Sequence, residues 1–318
     1  MVPDRLPSYR ELPAVPGKPP HSAWGLFGED DNVGLFNLIT PERTAAGARE
    51  VQRGAVFPLN WDLEMPSPPL FGRGALRHTV TGFASGRDDV YDNFFPQSSS
   101  QWDALCHVGH PQHGFYNGLP APVQTGTAED KLGIHAWARK GIAGRGVLLD
   151  VARYRDSQGD PLPANTAYRI PVAELEATRK AAGVEIRTGD ILLIRTGWMA
   201  WYLGASQQER FMLRNMQGLT TPGIENSEAM AEYLWDLHVV AAAADCPSLE
   251  AWPPEQREFG FLHQTLIGLF GLAIGEMWYL EELAQDCAQD GRYSFFLTSA
   301  PLNKQGGVGS PPNALAIK

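Results

Sequence analysis

The segment that decides the fold is GDILLIRTGW, residues 189–198. Its residues Ile191–Ile194 are continuously apolar and lack the alternation expected of a strand with one face toward solvent. Such a run is typical of a strand buried on both faces, as strands of parallel sheets are. A second segment of the same kind, VVAAAAD at 239–245, predicts another buried strand. The sequence therefore indicates a sheet with a covered centre.

Further patterns on both sides of this centre predict an alternation of strands and helices. Further strands are predicted over 55–65 (AVFPLNWDLEM), 76–85 (LRHTVTGFAS), 144–150 (GRGVLLD) and 293–302 (YSFFLTSAPL). Helices are predicted over 39–54 (ITPERTAAGAREVQRG, with Thr40 as N-cap and Gly54 as the stop), 170–183, 227–237 and 259–271. We therefore expect an α/β fold, a single domain with a mixed β-sheet core and flanking helices. Residues 1–20 form a proline-rich arm, and residues 21–318 form the domain.

Composition excludes several classes of function. The net charge of −10 argues against a nucleic-acid partner, because little in the chain would neutralise phosphates. No apolar run is long enough to span a bilayer, so no membrane partner is expected. The first residues lack the apolar core of a secretory signal, and three widely spaced cysteines suggest reduced thiols. We expect a cytoplasmic protein.

The stretch QSSSQWDALCHVGHPQH, residues 97–113, concentrates side chains that bind metals or move protons. Asp103 and His107 would share one face of a helical turn, and Gln101 and Asp103 would share one face of a strand. A strand or loop that ends in a helical turn would aim Gln101, Asp103 and His107 at one point. The alternative is a polar surface loop whose histidines are solvated or hydrogen-bonded.

Three acidic or imidazole side chains elsewhere complete the candidate set. Asp245 ends a buried strand, where α/β folds place ligands. His263 and Glu276 flank a predicted helix and are residue types that bind Zn²⁺ or Mn²⁺. With Asp103 they would leave coordination positions open for water. Sequence spacing alone does not bring Asp103 and His263 together.

Several blocks taken jointly resemble the cyclase family of metal-dependent hydrolases, to which bacterial kynurenine formamidase and isatin hydrolase belong. These blocks include GEDDNVGLFNLITPER, SQWDALCH with FYNG, GIAGRGVLLDVARY, GDILLIRTGW, DCPSLEAWP, LHQTLIG with IGEMWYLEEL, and APLNKQGGVGSP. They cover most of the chain. The resemblance implies the swivelling β/β/α fold of that family.

The family's signature is His-x-Gly-Thr-His-x-Asp-x-x-x-His, in which the first two histidines and the aspartate bind metal. Its aspartate corresponds to Asp103 and its last histidine to His107, whereas Gln97 and Gln101 stand in place of the two leading histidines. The family's later metal-binding pair corresponds to His263 and Glu276. An amide oxygen is a weaker donor than imidazole toward Zn²⁺ and suits Mn²⁺ better. We therefore expect one Mn²⁺ or Zn²⁺ ion, or none.

The activity implied by the resemblance is hydrolysis of a cyclic amide, a lactone or an aryl formamide. His107 would act as general base and then as general acid, because imidazole titrates near neutral pH. The expected substrate is a small cyclic or aromatic molecule, and the expected assembly is a homodimer or homotetramer. The candidate substrate-binding residues are Trp61, Phe94, Trp102, Trp198 and Asp245, with Phe95 and Trp252 as further aromatic candidates.

Two other functions stay open from the sequence. One is a thiol hydrolase that uses Cys106 beside His107, although adjacent residues seldom present a nucleophile and a base to each other. The other is a family member without metal that works as a lyase, an isomerase or a small-molecule binding protein, as the two glutamines suggest.

Overall fold

A computed structural model describes residues 3, 5–13, 15–120, 131–214, 216, 218–254 and 260–318. The strands in this part of the chain are β1 (Val56–Pro58), β2 (Arg77–Phe83), β3 (Gly86–Asp92), β4 (Gln101–Asp103), β5 (Ile142–Asp150), β6 (Arg169–Ile170), β7 (Ile191–Arg195), β8 (Gly223–Ile224), β9 (Ala241–Ala244), β10 (Ala273–Glu276), β11 (Ser294–Ser299), β12 (Gly309–Ser310) and β13 (Ala314–Ile317). The α-helices are α1 (Pro41–Ala48), α2 (His135–Lys140), α3 (Val151–Ser157), α4 (Val172–Ala181), α5 (Trp198–Gly204), α6 (Gln207–Leu213), α7 (Glu228–Asp236), α8 (Leu262–Leu266) and α9 (Glu281–Asp290). Short 3₁₀-helices cover Tyr9–Glu11, Gly34–Leu38, Pro96–Ser98 and Tyr116–Gly118.

The main sheet has the strand order β1-β13-β11-β5-β7-β9-β10-β4-β12. Its four central strands, β5, β7, β9 and β10, are parallel. Antiparallel strands extend it on both sides, with β11, β13 and β1 beyond β5 and with β4 and β12 beyond β10. This is an α/β architecture with a mixed sheet, and the fold class expected from the sequence is confirmed.

The centre of the sheet is covered on both faces. Ile191–Ile194 of β7 and Ala241–Ala244 of β9 have no solvent-accessible surface. The apolar run of β7 is therefore a doubly buried strand, as predicted. The carboxyl ends of the four parallel strands lie at one edge of the sheet, where α/β folds place their ligands.

The ends of several elements differ from the predictions. Thr40 does cap α1 and accepts a hydrogen bond from the amide of Arg43, but the helix ends at Ala48 and not at Gly54. After Ala48 the amides of Glu50 and Val51 donate three residues back, and the amide of Arg53 donates to the carbonyl of Lys318, next to the β1–β13 ladder, which takes Arg53 out of the predicted helix. The strand predicted over 55–65 stops at Pro58, and by Trp61 the backbone has left the ladder, since the amide of Trp61 donates to the hydroxyl of Ser100.

The helix predicted over 259–271 is shorter in the structure. It covers Leu262–Leu266, and Phe259 lies outside the described residues. Gly271 adopts a positive φ of 67°, and the amide of Leu272 donates to the carbonyl of Leu266, which turns the chain into β10. Glycine suits this turn because it has no Cβ.

The described part of the arm predicted over residues 1–20 packs on α7 of the same chain. The amide of Tyr9 donates to Asp236, Arg10 pairs with Glu232, and the indole of Trp235 donates to the carbonyl of Pro7. Residues 1, 2, 4 and 14 of the arm lie outside the described residues.

The hairpin of β2 and β3 is exposed along nearly its whole length. It presents the apolar side chains of Val80, Phe83, Val90 and Tyr91 to solvent. An isolated two-stranded hairpin is marginally stable in water.

Within the described part of the chain, no helix is long and apolar enough to cross a membrane.

Candidate active site

The pairing of β4 with β10 creates the candidate site. These strands are antiparallel, and Gln101 lies directly opposite Glu276. Side chains alternate along a strand, so Gln101 and Asp103 project from the same face of β4. Directly opposed residues also share a face, which brings both side chains beside Glu276. Two short strands that are remote in sequence thus place an amide and two carboxylates together in the interior.

His263, near the start of α8, completes a cluster with the two carboxylates. Its Nε2 lies 3.0 Å from Oε1 of Glu276 and 3.8 Å from Oδ2 of Asp103. One ligand atom from each of Asp103, His263 and Glu276 lies within 4.8 Å of the others, and all three side chains are buried. The structure thus brings together three of the residues that the sequence proposed as metal ligands.

Glu250 holds the imidazole of His263 from the other side. Oε1 of Glu250 lies 2.9 Å from Nδ1 of His263, and the carboxylate is completely buried. A carboxylate that accepts a hydrogen bond from one ring nitrogen directs the other nitrogen's lone pair toward a metal. Sequence reasoning missed Glu250. The only signal was its position in the family-like block DCPSLEAWP.

Burial and mutual repulsion shape the charge of this cluster. Burial, followed by the charge of Asp103, raises the pKa of Glu276 to about 7. Burial alone would lower the pKa of His263, but its hydrogen bonds with Glu250 and Glu276 outweigh burial and raise the pKa to about 10. The cluster holds more carboxylates than cationic partners, so it favours a bound positive charge.

The amide of Gln101 lies between the two carboxylates. Its Nε2 donates to Oε2 of Glu276 at 2.5 Å and to Oδ1 of Asp103 at 3.3 Å. Its Oε1 is buried and has no hydrogen-bond partner. The amide therefore partly neutralises both carboxylates and leaves one donor oxygen unused.

Gln97 lies at the edge of the site on the same face of the sheet. Gly309 of β12 pairs directly with Asp103, and a Cβ added to Gly309 would lie 2.7 Å from Nε2 of Gln97. Gln97 and Phe94 line a cavity of about 500 Å³ beside the loop from Leu302 to Gly309. Gln97 is thus a neighbour of the cluster.

His107 approaches Asp103 after a turn. The chain leaves β4 at Asp103 and turns through a hydrogen bond from the amide of His107 to the carbonyl of Ala104. Nε2 of His107 then lies 3.7 Å from Oδ1 of Asp103, and a quarter of its side chain (25%) is exposed. Burial lowers the pKa of His107, and the charge of Asp103 opposes this effect. The imidazole of His107 thus stands beside the buried carboxylate and is partly open to solvent.

The residues predicted to contact substrate lie in several places. Trp102 faces away from Gln101 and Asp103, is fully buried, and donates its indole N–H to Ser299. Trp198 is also fully buried, and Trp61 packs edge-on against Tyr202 in the core. Phe94 is half-buried at the cavity that Gln97 lines, and Phe95 is exposed.

Asp245 does not point into the cluster. Its Oδ1 accepts hydrogen bonds from the amide and hydroxyl of Thr196, and its Oδ2 accepts one from the amide of Gly197. Gly197 has a positive φ of 81°, which a residue with a Cβ rarely adopts. Asp245 therefore fixes the turn between β7 and α5, close to the edge that holds the site.

Cys106 lies against the loop that precedes β12. Its Sγ contacts the carbonyl oxygen of Gly307 at 3.8 Å. A thiol nucleophile would have to lie within hydrogen-bond reach of its base. The geometry therefore favours His107 with Asp103 over His107 with Cys106.

Comparison with known proteins places this geometry in a family. The family model for cyclases matches residues 52–251, well over half of the chain. The chain belongs to the cyclase family. The resemblance inferred from the sequence blocks is confirmed.

Solved structures of cyclase-family proteins share this fold. One, described as a novel cyclase, is 35% identical and superposes with a TM-score of 0.82 over 93% of this chain and 99% of its own. An isatin hydrolase bound to the product analogue thioisatinate is 17% identical, with a TM-score of 0.60 over 87% and 98% of the two chains. Isatin hydrolase A from Labrenzia aggregata, bound to benzyl benzoate, is 15% identical, with a TM-score of 0.59 over 86% and 94%. A search of the curated proteins found no match.

The donor set of this cyclase-family protein fits one divalent ion. Oδ2 of Asp103 and Oε2 of Glu250 are both buried, and neither has a hydrogen-bond partner in the described part of the chain. Unpaired buried carboxylate oxygens are costly unless a cation neutralises them. Two carboxylates and one imidazole are donor types that Zn²⁺ and Mn²⁺ accept.

Proposed function

We propose that this protein is a metal-dependent hydrolase that acts on a cyclic amide, a lactone or an aryl formamide. The observation that carries the proposal is the convergence of Asp103, His263 and Glu276 within 4.8 Å, with the imidazole of His107 beside Asp103. A single Mn²⁺ or Zn²⁺ ion is the proposed cofactor. The fold shared with isatin hydrolases supports the reaction class.

Asp103, His263 and Glu276 are the proposed ligands, and Glu250 holds the imidazole of His263 for the ion. The bound ion would polarise a carbonyl group and lower the pKa of water from about 15.7 to about 7. The unused oxygen of Gln101 is a fourth donor if its amide turns over. Such a rotation exchanges the nitrogen and oxygen positions without moving the backbone.

His107 is the proposed general base and general acid. Its imidazole takes one proton from the attacking water, whose oxygen forms the new bond to the carbonyl carbon. The carbon–nitrogen or carbon–oxygen bond to the leaving group then breaks. His107 returns the proton to the leaving nitrogen or oxygen. The carboxylic acid that forms releases the second proton of the water to solvent and becomes a carboxylate; from a cyclic substrate both groups stay in one ring-opened product. The leaving group would contact His107 through the quarter of its side chain that is exposed.

The proposed substrate is a small cyclic or aromatic molecule. Of the residues that the sequence singled out for substrate contact, we place Phe94 at a cavity wall beside the site and Trp252 against Phe261, whose ring stacks on His263. Trp61, Trp102, Trp198 and Asp245 are proposed to act from the core, by holding the strands and the turn in place.

A metal-free function is the second candidate, and the hydrogen bonds of Gln101 favour it. The amide N–H groups already lie where a cation would neutralise Asp103 and Glu276. A lyase, an isomerase or a small-molecule binding protein would need no further charge there.

One experiment separates the two functions. The purified protein is analysed for metal content and then assayed on lactones, cyclic imides and aryl formamides, before and after chelation and with added Mn²⁺ or Zn²⁺. We expect about one ion per chain and an activity that is lost with the chelator and restored by the metal. A protein that stays metal-free at saturating Mn²⁺ and Zn²⁺ would support the second candidate instead.

Gln101→His tests the proposed fourth donor. Imidazole is a stronger donor than an amide oxygen toward Zn²⁺, so we expect Zn²⁺ to bind at least about tenfold more tightly, a difference of about 1.4 kcal/mol. Titration calorimetry gives the affinity, and the rise in melting temperature with added Zn²⁺ checks it. Gln289→His, on the exposed side of α9, is the control for an added surface histidine. An unchanged Zn²⁺ affinity would remove Gln101 from the metal site. The double variant that combines Gln101→His with Gln97→His tests whether both glutamines face the ion.

Glu250→Gln tests the residue that orients His263. The substitution keeps the shape of the side chain and removes its charge, so we expect metal affinity or activity to fall by about 10–100-fold with the fold intact. Calorimetry and circular dichroism measure the two effects. Glu282→Gln on the exposed face of α9 is the matched control. Full metal affinity in Glu250→Gln would mean that the pair with His263 serves only packing.

We also propose a homodimer or homotetramer in the cytoplasm. The exposed apolar side chains of the hairpin of β2 and β3 support an interface between copies. Light scattering on the purified protein measures the mass, and a monomeric mass at micromolar concentration would remove this part of the proposal.

A further inference from the structure

A row of aromatic rings leads from the cluster to a half-buried arginine. Phe261 stacks on His263 with ring centroids 4.3 Å apart. Trp252 lies edge-on to Phe261 at 6.3 Å, and Phe71 lies edge-on to Trp252 at 5.2 Å. The guanidinium of Arg73 lies over the ring of Phe71 at 5.1 Å. The side chains of this row are each partly exposed except that of His263, so together they form an apolar wall with a cation at its far end.

Arg73 carries a charge that the described part of the chain does not pair. One of its terminal nitrogens, Nη1, donates to the carbonyl oxygen of Gln97, and Arg73 forms no ion pair with a described residue. Burial lowers the pKa of Arg73, while the charges of Glu276 and Asp103 oppose this effect. The bond to the carbonyl of Gln97 holds the guanidinium near the cluster, beyond ion-pair distance of its two carboxylates.

The charge balance changes when those carboxylates hold a divalent ion. Asp103 and Glu276 are then engaged with the ion and no longer compensate Arg73. A guanidinium has five N–H donors, and Arg73 uses one of them within the protein. A carboxylate accepts two parallel hydrogen bonds from a guanidinium, which gives both affinity and orientation. The free donors of Arg73 match an anionic group on a bound molecule.

Trp252 provides a second unused donor on the same wall. Its Nε1 is buried and has no hydrogen-bond partner in the described part of the chain. Buried indole N–H groups almost always find an acceptor. An acceptor oxygen or nitrogen on a ring packed against Phe71 and Phe261 would satisfy it.

We infer that Arg73 is a specificity-determining residue and that the substrate is a planar aromatic molecule that carries a carboxylate. The ring packs against Phe71, Trp252 and Phe261, and the carboxylate pairs with Arg73. The hydrolysable group then lies toward His263. This inference rests on the proposed function, because it assigns the orientation of the substrate at the same site.

The test compares two probes that differ by one carboxylate. Formanilide is neutral, and 3-formamidobenzoate carries the same formamide and a ring carboxylate. Binding to the full-length, metal-loaded protein is measured by titration calorimetry, and hydrolysis is measured on the same samples. We expect 3-formamidobenzoate to bind at least about tenfold more tightly than formanilide, a difference of about 1.4 kcal/mol.

Arg73→Gln should remove this preference, measured as the ratio of the two affinities on the same sample, and leave the metal content unchanged. Arg73→Lys keeps the charge but loses the planar fork, so it should retain part of the preference. It also keeps the test decisive if Arg73→Gln does not fold. Arg49, the residue that follows α1, is exposed, and Arg49→Gln is the matched control.

Two results would overturn the inference. The first is equal binding of the two probes by the parent protein. The second is an undiminished preference in Arg73→Gln, which would mean that the carboxylate binds the metal directly. Failure of the proposed function would give a different result. Neither probe would then be hydrolysed, but the preference in binding, and its loss in Arg73→Gln, would still be measured.

Discussion

Asp103→Asn is expected to release the divalent ion and to lower kcat/KM by on the order of 10³-fold or more, because metal-bound water is far more acidic than free water. Asparagine keeps the shape of the side chain but replaces a charged oxygen donor with a neutral one. Asp103 is completely buried, and its Oδ2 accepts no hydrogen bond from a described residue. Metal analysis after dialysis and steady-state kinetics measure the two losses.

Glu276→Gln and His263→Gln should give the same two losses if the three side chains hold one ion. Asp88→Asn, on the exposed strand β3, is the control for loss of a carboxylate elsewhere. Circular dichroism establishes that each variant is folded. Full metal occupancy in all three folded variants would contradict the assignment of the site.

His107→Ala is expected to lower kcat by roughly 10²–10⁴-fold while the metal stays bound, because a positioned general base contributes about that much. The imidazole lies 3.7 Å from Asp103 and a quarter of it is exposed, which suits contact with a substrate better than coordination from the interior. Kinetics and metal content measured on the same preparation test both parts of this expectation.

The control for His107 is His113→Ala in the same segment. His113 stacks on His110 with ring centroids 4.7 Å apart, outside the cluster. We expect its removal to leave kcat within about twofold, as surface substitutions usually do. An unchanged rate in His107→Ala would make that residue structural, and loss of metal from the folded variant would make it a ligand.

The sequence predicted the centre of the fold because strong local patterns encode it. The apolar runs of β7 and β9 admit only strands that are buried on both faces. Helices with a capping residue, such as α7 with Ser227, were also found where the sequence placed them. Element ends were predicted less well, since contacts with remote segments set them. The bond from Arg53 to Lys318 that ends the predicted helix early is one example.

The site was only partly predictable from the sequence. Their residue types suggested Asp103, His263 and Glu276 as ligands, but only the family resemblance placed the three in one site, since nothing local joins them. β4 and β10 are three and four residues long, too short for a periodic signal, and Gln101 bonds to Glu276 across 175 residues. Glu250 and Arg73 were missed because a single charged residue in a loop has no pattern of its own.

The aromatic residues illustrate a second limit. Nearness in sequence to the proposed metal ligand Asp103 suggested Trp102 as a substrate wall, yet alternation along β4 turns its side chain to the opposite face. Phe71 and Phe261 received no attention from the sequence, and the fold alone aligns them with Trp252 and His263.

The long-range pairing of β4 with β10 also bears on how quickly the protein loses its structure. The length-dependent part of the entropic cost of closing a loop of 175 residues is about 4–5 kcal/mol. We therefore expect this edge of the sheet to dock late in folding and to detach early in unfolding. An ion held by Asp103 on β4 and Glu276 on β10 would tie β4, the strand next to the edge, to the core at that point. Contacts made after the folding barrier slow unfolding and leave the folding rate nearly unchanged. The cofactor would then act as a kinetic lock, and its removal would shorten the lifetime of the native state.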